Sequence, residues 1–305
     1  MQVYTQFTDE LSRLWHNAYE KETKKAPFSL FSWHATWFRH FGNKETLTIV
    51  THHDVIIPLS IHEKTAHFTG GEEFADYLDA IGPGEQKEEA WKEALQYLQD
   101  QHVQTLHVRN IPKNTATLSF FEHDSRATIG EEDTTPLLIL PASLDAYLSN
   151  LPRKDRHEFK RKMKRFEEDH PNNLYEVTSE FDPELLFTLM KQNPDKAEFL
   201  TPRMEAFFRD LPQASGNTLR QATLRVDDTP VATTIFFVSG SELLLYNSGY
   251  NGDMLGAGWY SKARLIPWCI DNKITMLNYL QGNERYKYDF GAIDSPVYSV
   301  TVQLS

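Results

Sequence analysis

The chain has 305 residues, 40% hydrophobic and 24% charged, with 31 Lys+Arg against 43 Asp+Glu and a formal charge of −12. That balance is globular rather than disordered or collagen-like, and the length predicts two domains, each able to bury its own core. The lone Cys269 excludes an internal disulfide, no apolar run is long enough to span a bilayer, and the acidic total argues against broad, non-specific nucleic-acid binding.

Read from the N-terminus, MQVYTQFTDELSRLWHNAYEK lacks the basic-then-apolar order of a signal peptide, so a cytoplasmic location is expected. Asp9-Glu10-Leu11 opens a helix with Leu11, Leu14, Trp15 and Ala18 on one face. FSLFSWHATWFRHF continues as a second, aromatic-rich helix. Most of its rings (Phe28, Phe31, Trp33, Trp37, Phe38, Phe41) belong to a core, with some available to an acceptor cleft. Residues 46–69 read as three strands broken at His53-Asp54 and Glu63-Lys64. Gly82-Pro83-Gly84 then leads into a helix over 85–100 and a strand, Thr105–Val108. His52, His53, His62, His67, His102 and His107 show no metal-ligand spacing, so no metal is expected.

Between Arg153 and Arg165 the chain reads RKDRHEFKRKMKR, a local charge of +6 that leaves −18 elsewhere. Phe159, Met163 and Phe166 recur at helical spacing, so this is an amphipathic helix with one buried stripe. Its basic face either meets an anionic partner or is a solvated surface. Asp182-Pro183-Glu184 opens the next helix, with Leu185, Leu186, Leu189 and Met190 apolar, and EFLTPRMEAFFRDL predicts an aromatic-rich helix after it. Residues 219–250 form a clear antiparallel meander with turns at Asp227-Asp228-Thr229-Pro230 and Ser239-Gly240-Ser241. Gly256-Ala257-Gly258, a helix over 259–272 and a strand, Thr275–Tyr279, complete the series.

The second half repeats the first. An offset of 174 residues separates the two Gly-x-Gly loops and 170 the two following strands. Two α/β domains of one topology are expected, spanning 1–140 and 141–305. A Gly-x-Gly before a helix exposes backbone N–H donors at a positive helix end, a natural diphosphate site. The second copy suits this better. Pro83 deletes a donor and Glu85, Glu88 and Glu89 repel an anion, whereas Ala257 keeps its N–H and no acid follows it.

Asp253-Met254-Leu255-Gly256-Ala257-Gly258 resembles the pyrophosphate loop of the GNAT acyltransferase superfamily, with Asp253 where Gln or Arg is usual. From about Leu151 to Phe290 the chain resembles the acetyltransferase-like domain named after the cellulose-biosynthesis protein CelD, a relative of the FemABX peptidyltransferases with their two tandem GNAT-like domains. The likeness rests on the basic helix, on LGAGWYSKARLIPWCIDN, and on Asn278-Tyr279-Leu280-Gln281-Gly282-Asn283-Glu284-Arg285-Tyr286-Lys287, in which Asn278 and Gln281 depart from the usual Asp and Arg.

The resemblance implies an α/β (α+β) fold of two tandem GNAT-like domains, each a mixed, mainly antiparallel sheet flanked by helices. It implies an N-acyltransferase that moves an acyl group from acetyl-CoA or another acyl-CoA to an amine on a small molecule or envelope precursor. Strands Leu243–Tyr250 and Thr275–Leu280 would splay to admit the thioester. Leu255, Gly256, Ala257 and Gly258 would hold the pyrophosphate, with Asn247 and Tyr250 lining the same pocket. Glu284, Tyr286 and Lys287 would carry the acid–base chemistry, Lys287 stabilising developing negative charge; otherwise Glu284 and Lys287 form a surface ion pair. The first domain, without an intact loop, would face the acceptor. Two other readings stand beside this one: a Fem-like aminoacyltransferase whose basic helix contacts aminoacyl-tRNA, and a catalytically degenerate binding module in an envelope or polysaccharide pathway. Cys269 is expected to be a core residue, and no serine-hydrolase or P-loop motif is present.

Overall fold

Local signals start most elements where the sequence places them. Thr8 caps the first helix by accepting the Leu11 N–H, and Asp182 and Thr201 cap later ones in the same way. The computed structural model describes residues 1–304. In chain order its first stretch comprises β1 (Gln2–Tyr4), α1 (Asp9–Glu20), α2 (Phe31–Phe41), β2 (Thr46–His52), β3 (Val55–His62), β4 (Thr65–Phe68), α3 (Gly84–Asp100), β5 (Thr105–Pro112), α4 (Ala116–Glu122) and β6 (Ala127–Thr134). There follow β7 (Leu137–Ile139), α5 (Leu144–Asn150), α6 (Arg153–Asp169), β8 (Asn173–Thr178), α7 (Pro183–Met190), α8 (Pro194–Phe199), α9 (Pro202–Arg209) and α10 (Leu211–Ala214). The last stretch is β9 (Leu219–Val226), β10 (Thr229–Ser239), β11 (Glu242–Tyr250), α11 (Ala257–Asp271), β12 (Met276–Asn278), α12 (Arg285–Asp289) and β13 (Pro296–Gln303).

Two units result. One is Met1–Thr134 with Gln213–Gly216 and the chain from Ser295 on; the other is Thr135–Pro212 with Asn217–Asp294. The first holds a sheet in the order β1-β2-β3-β4-β5-β13-β6, the second a sheet in the order β7-β12-β11-β10-β9-β8. Each is antiparallel except for one pair, β4 with β5 and β11 with β12, which run parallel. In both the cause is the same: a helix intervenes, α3 or α11, and a crossover helix returns the chain in its original direction. The basic segment is helical as expected, with Phe159 and Phe166 buried and Met163 packed against the core.

Three features differ from the sequence reading. Residues 295–304 do not join the second unit; β13 buries Val297, Val300 and Val302 and pairs with both β5 and β6 of the first sheet. In turn β7, from the junction segment, pairs with β12 in the second sheet. Each sheet is thus completed by a strand distant in sequence, a non-local pairing that local patterning does not encode. Of EFLTPRMEAFFRDL, Pro202–Arg209 forms the expected helix, α9, while Glu198 and Phe199 instead end a separate short helix, α8, which Pro202 in the first turn of α9 cannot continue. No helix among the described residues is long and apolar enough to cross a membrane.

Candidate functional site

The site begins with a strand that loses its partner. β12 pairs with β11 only over Glu242–Leu244, and β11 runs on to Tyr250 with that edge open. On its other edge the register with β10 slips between Ile235 and Phe236, which leaves Tyr246 as an extra residue. Such a bulge bends and twists a strand, and here it accompanies the splay expected between these strands. The half-buried Lys196 side chain donates to the Ser248 carbonyl beyond the bulge.

The loop after β11 is shaped by its own hydrogen bonds. Asn251 Oδ1 accepts the Asp253 N–H at 2.9 Å, and the Ala257 N–H donates to the Met254 carbonyl at 3.2 Å. Gly256 has φ 88°, the left-handed region that favours glycine, and starts α11 without a side-chain cap. Gly258 is needed for a different reason: a Cβ there would lie 2.7 Å from the Tyr250 ring. The Ala257 amide, expected to be an open donor, is committed to the turn. The amides of Gly258 and Trp259, which follow it, have no backbone partner among the described residues.

Gly256, Trp259 and Tyr260 at the start of α11 border a cleft of about 800 Å³ whose walls are the loop and the basic helix. Phe166 of α6 stacks on Tyr260 of α11, ring centres 4.2 Å apart, and so brings the two segments together. Arg161, Lys162 and Arg165 line the cleft against two carboxylates, Asp169 and Asp253. Arg161 is bonded to Glu158 and Arg165 to Asp169, exposed pairs that an anionic ligand can exchange at little cost. Lys162 Nζ lies 5.0 Å from the centre of the Trp259 ring. Leu255 projects from the lip, 80% exposed.

Further along α11 is a second cluster. Lys287, 1% exposed, donates to the carbonyls of Leu280, Gln281 and Gly282 and pairs with Glu284 at 2.8 Å. The ion pair foreseen at this spacing therefore exists, but its lysine is buried and clamps the turn after β12. Burial works against the Glu284 charge, yet the Lys287 hydrogen bond and charge outweigh it and keep the carboxyl below its usual range. Burial pushes the Tyr286 phenol far up, so it stays protonated. Asn278, fully buried, accepts the Leu280 N–H and donates to Glu242, fixing the strand end.

Lys262 completes this cluster, and the sequence reading passed over it. Its Nζ lies 5.5 Å from the Tyr250 ring centre and 5.0 Å from that of Tyr286, with the Gly258 carbonyl at 3.4 Å. Burial, reinforced by Lys196 and Lys287 and opposed by Glu284, pushes its pKa down to about 7. The available signal was its place in a helical stripe with Leu265, Ile266 and Cys269, all buried. Asn247 does not share this site with Tyr250. Three apart on a strand, the two project to opposite faces, and Gly249, in phase with Asn247, abuts Leu189 and Met190 of α7. Cys269 is fully buried and its thiol is pushed up by burial, as a core residue requires.

The first unit treats the same elements differently. The Gly82 N–H donates to Glu22 Oε2 at 2.7 Å, and Lys87, 3% exposed, pairs with Glu22 and with Asp79. At the β2–β3 turn, ligand atoms of His52, His53 and Glu89 come within 4.8 Å of one another, a grouping that residue spacing does not reveal; His53 and Glu89 are exposed.

Residues 153–288 match the family described as acetyltransferase (GNAT) domain. No curated protein matches the chain in sequence. Among solved structures, L-PGS from Bacillus licheniformis is similar at 13% identity and a TM-score of 0.64, over 96% of this chain and 91% of that one. FemX is similar at 10% identity and 0.65, over 98% and 97%. A tandem GNAT protein from the clavulanic acid biosynthesis pathway is similar at 12% identity and 0.53, over 100% and 98%. The family match runs from the first residue of the basic helix to just past Lys287, nearly all of it within the second unit, and the chain as a whole has a tandem GNAT-like fold.

Proposed function

We propose that the protein is an acyl-CoA-dependent N-acyltransferase, most simply an acetyltransferase, acting on an amine of a small molecule or envelope precursor. The observation that carries this reading is the meeting of the uncapped α11 N-terminus with Arg161, Lys162 and Arg165 in one cleft. In this reading the Gly258 and Trp259 amides and the helix dipole take the CoA diphosphate, assisted by those three cations. The acyl-bearing arm follows the open edge of β11 toward Tyr250. Lys287 and Glu284 shape the turn around the thioester, and Tyr286, kept protonated, donates a hydrogen bond to developing negative charge without giving up its proton.

Millimolar CoA is expected to raise the melting temperature of the wild type, by the equivalent of about 2.7 kcal/mol at a hundredfold excess over Kd. Gly256→Glu, which puts a charged side chain into a left-handed position at the helix start, is expected to abolish the shift. Absence of any CoA-dependent shift in the wild type would contradict the reading.

A second donor, aminoacyl-tRNA, is favoured by a separate observation. Arg153, Lys154 and Lys160 of α6 are exposed, and no ion pair engages them among the described residues. Tight tRNA binding that weakens steeply with salt, with no response to CoA, selects that donor.

A further inference from the structure

Three lysines of this protein are almost wholly buried, and two have the partners a buried cation needs. Lys87 has Glu22 and Asp79; Lys287 has three carbonyls and Glu284. Lys262, 8% exposed, has a carbonyl of its own helix at 3.4 Å and no carboxylate within ion-pair distance among the described residues. Two tyrosine faces flank it, a weak substitute for a counter-ion. The charges acting on it are Lys196 from α8, Lys287 from α12 and Glu284 just before α12. Two of the three are positive.

Its place is as unusual as its lack of a partner. Lys262 follows Gly256 by six residues, about 9 Å along the helix, and lies between Tyr250, at the end of the stretch of β11 that β12 leaves unpaired, and Tyr286 of α12. Tyr250 itself is 37% exposed, so the cluster opens to solvent on that side.

We propose that the Lys262 side-chain amine is the proton acceptor of the transfer reaction, taking the proton that the acceptor amine loses as it attacks the acyl carbon. The proposal rests on the N-acyltransferase reading and holds for a thioester or an ester donor. A C–N bond forms and the C–S or C–O bond to the leaving group breaks, its electron pair departing with the sulfur or oxygen. The acceptor's N–H proton passes to Lys262 Nζ, and the resulting ammonium returns a proton to the leaving group. An amine pushed down to about 7 by burial and by Lys196 suits this role, because a base works best with a pKa near the operating pH.

The test uses the full chain labelled with 13Cε-lysine and followed by NMR from pH 5 to 11. One resonance, absent in Lys262→Met, is expected to titrate near neutrality while ordinary lysines titrate near about 10.4. A Lys262 resonance titrating above about 9 overturns the proposal, whether or not CoA binds. Adding CoA to the same sample separately reports on the donor, so loss of the CoA reading and loss of the lysine reading are distinguishable. With acetyl-CoA and a panel of ethanolamine, putrescine and glycinamide, Lys262→Met is expected to slow thioester cleavage by about a hundredfold or more and to remove the acidic limb of the pH–rate profile. Wild-type turnover with an unchanged pH profile in Lys262→Met also overturns it.

Discussion

The two glycine-led helices, α3 and α11, start from the same topology and settle their charges in opposite ways. In the first unit the Gly82 amide is bonded to Glu22, and the buried Lys87 sits between Glu22 and Asp79. In the second, the start of α11 borders a cleft and the buried Lys262 has no carboxylate partner among the described residues. One copy supplies its own anion and cation; the other leaves both kinds of group unsatisfied. Stability alone would remove such unsatisfied groups, and the proposed donor site in the second unit rests on their presence.

Matched lysine replacements are the sharpest way to break this comparison. Lys87→Met leaves Glu22 and Asp79 poorly exposed and without their cation, and is expected to cost about 3–5 kcal/mol in chemical denaturation. Lys262→Met is expected to act in the other direction, stabilising the protein by roughly 2–4 kcal/mol below pH 7. The sign follows from linkage. With its folded pKa pushed down to about 7, Lys262 binds fewer protons in the folded than in the unfolded chain between about pH 7 and 10.4. Wild-type stability from this group therefore rises with pH across that window, and the advantage of Lys262→Met shrinks as pH approaches 10. Equal destabilisation by both substitutions would remove the contrast.

A smaller effect sharpens the loop. Asp253 holds negative charge on the cleft where a diphosphate is expected. Asp253→Gln should tighten CoA binding severalfold at low salt, corresponding to about 1 kcal/mol, with the gain fading as ionic strength rises. An unchanged Kd in calorimetry at low salt would place the diphosphate elsewhere.

Much of this contrast was legible in the sequence, and what was missed has a common cause. Helices α1, α6 and α11, the β9–β11 meander and the Gly256 turn follow from spacing and local turn chemistry, and the proposed preference for the second loop draws on the same signals. The reason for that preference was only partly legible: acids after Gly84 were visible, but Glu22 reaching Gly82 across 60 residues was not. The same holds for β13 and β7, whose pairings depend on which sheet edge is open after the chain has folded. Lys262 was hidden because a lysine in an apolar helical stripe reads as a residue that can extend its charge to water. Its burial is set by Tyr250 and Tyr286, brought to it from other elements.

Calorimetric titration of CoA into the whole chain tests the central claim most directly, because it counts sites as well as detecting them. One equivalent bound by the wild type, lost in Gly256→Glu, is the predicted result. No binding, two equivalents, or one equivalent that persists in Gly256→Glu would contradict the assignment of the donor site to the second unit alone.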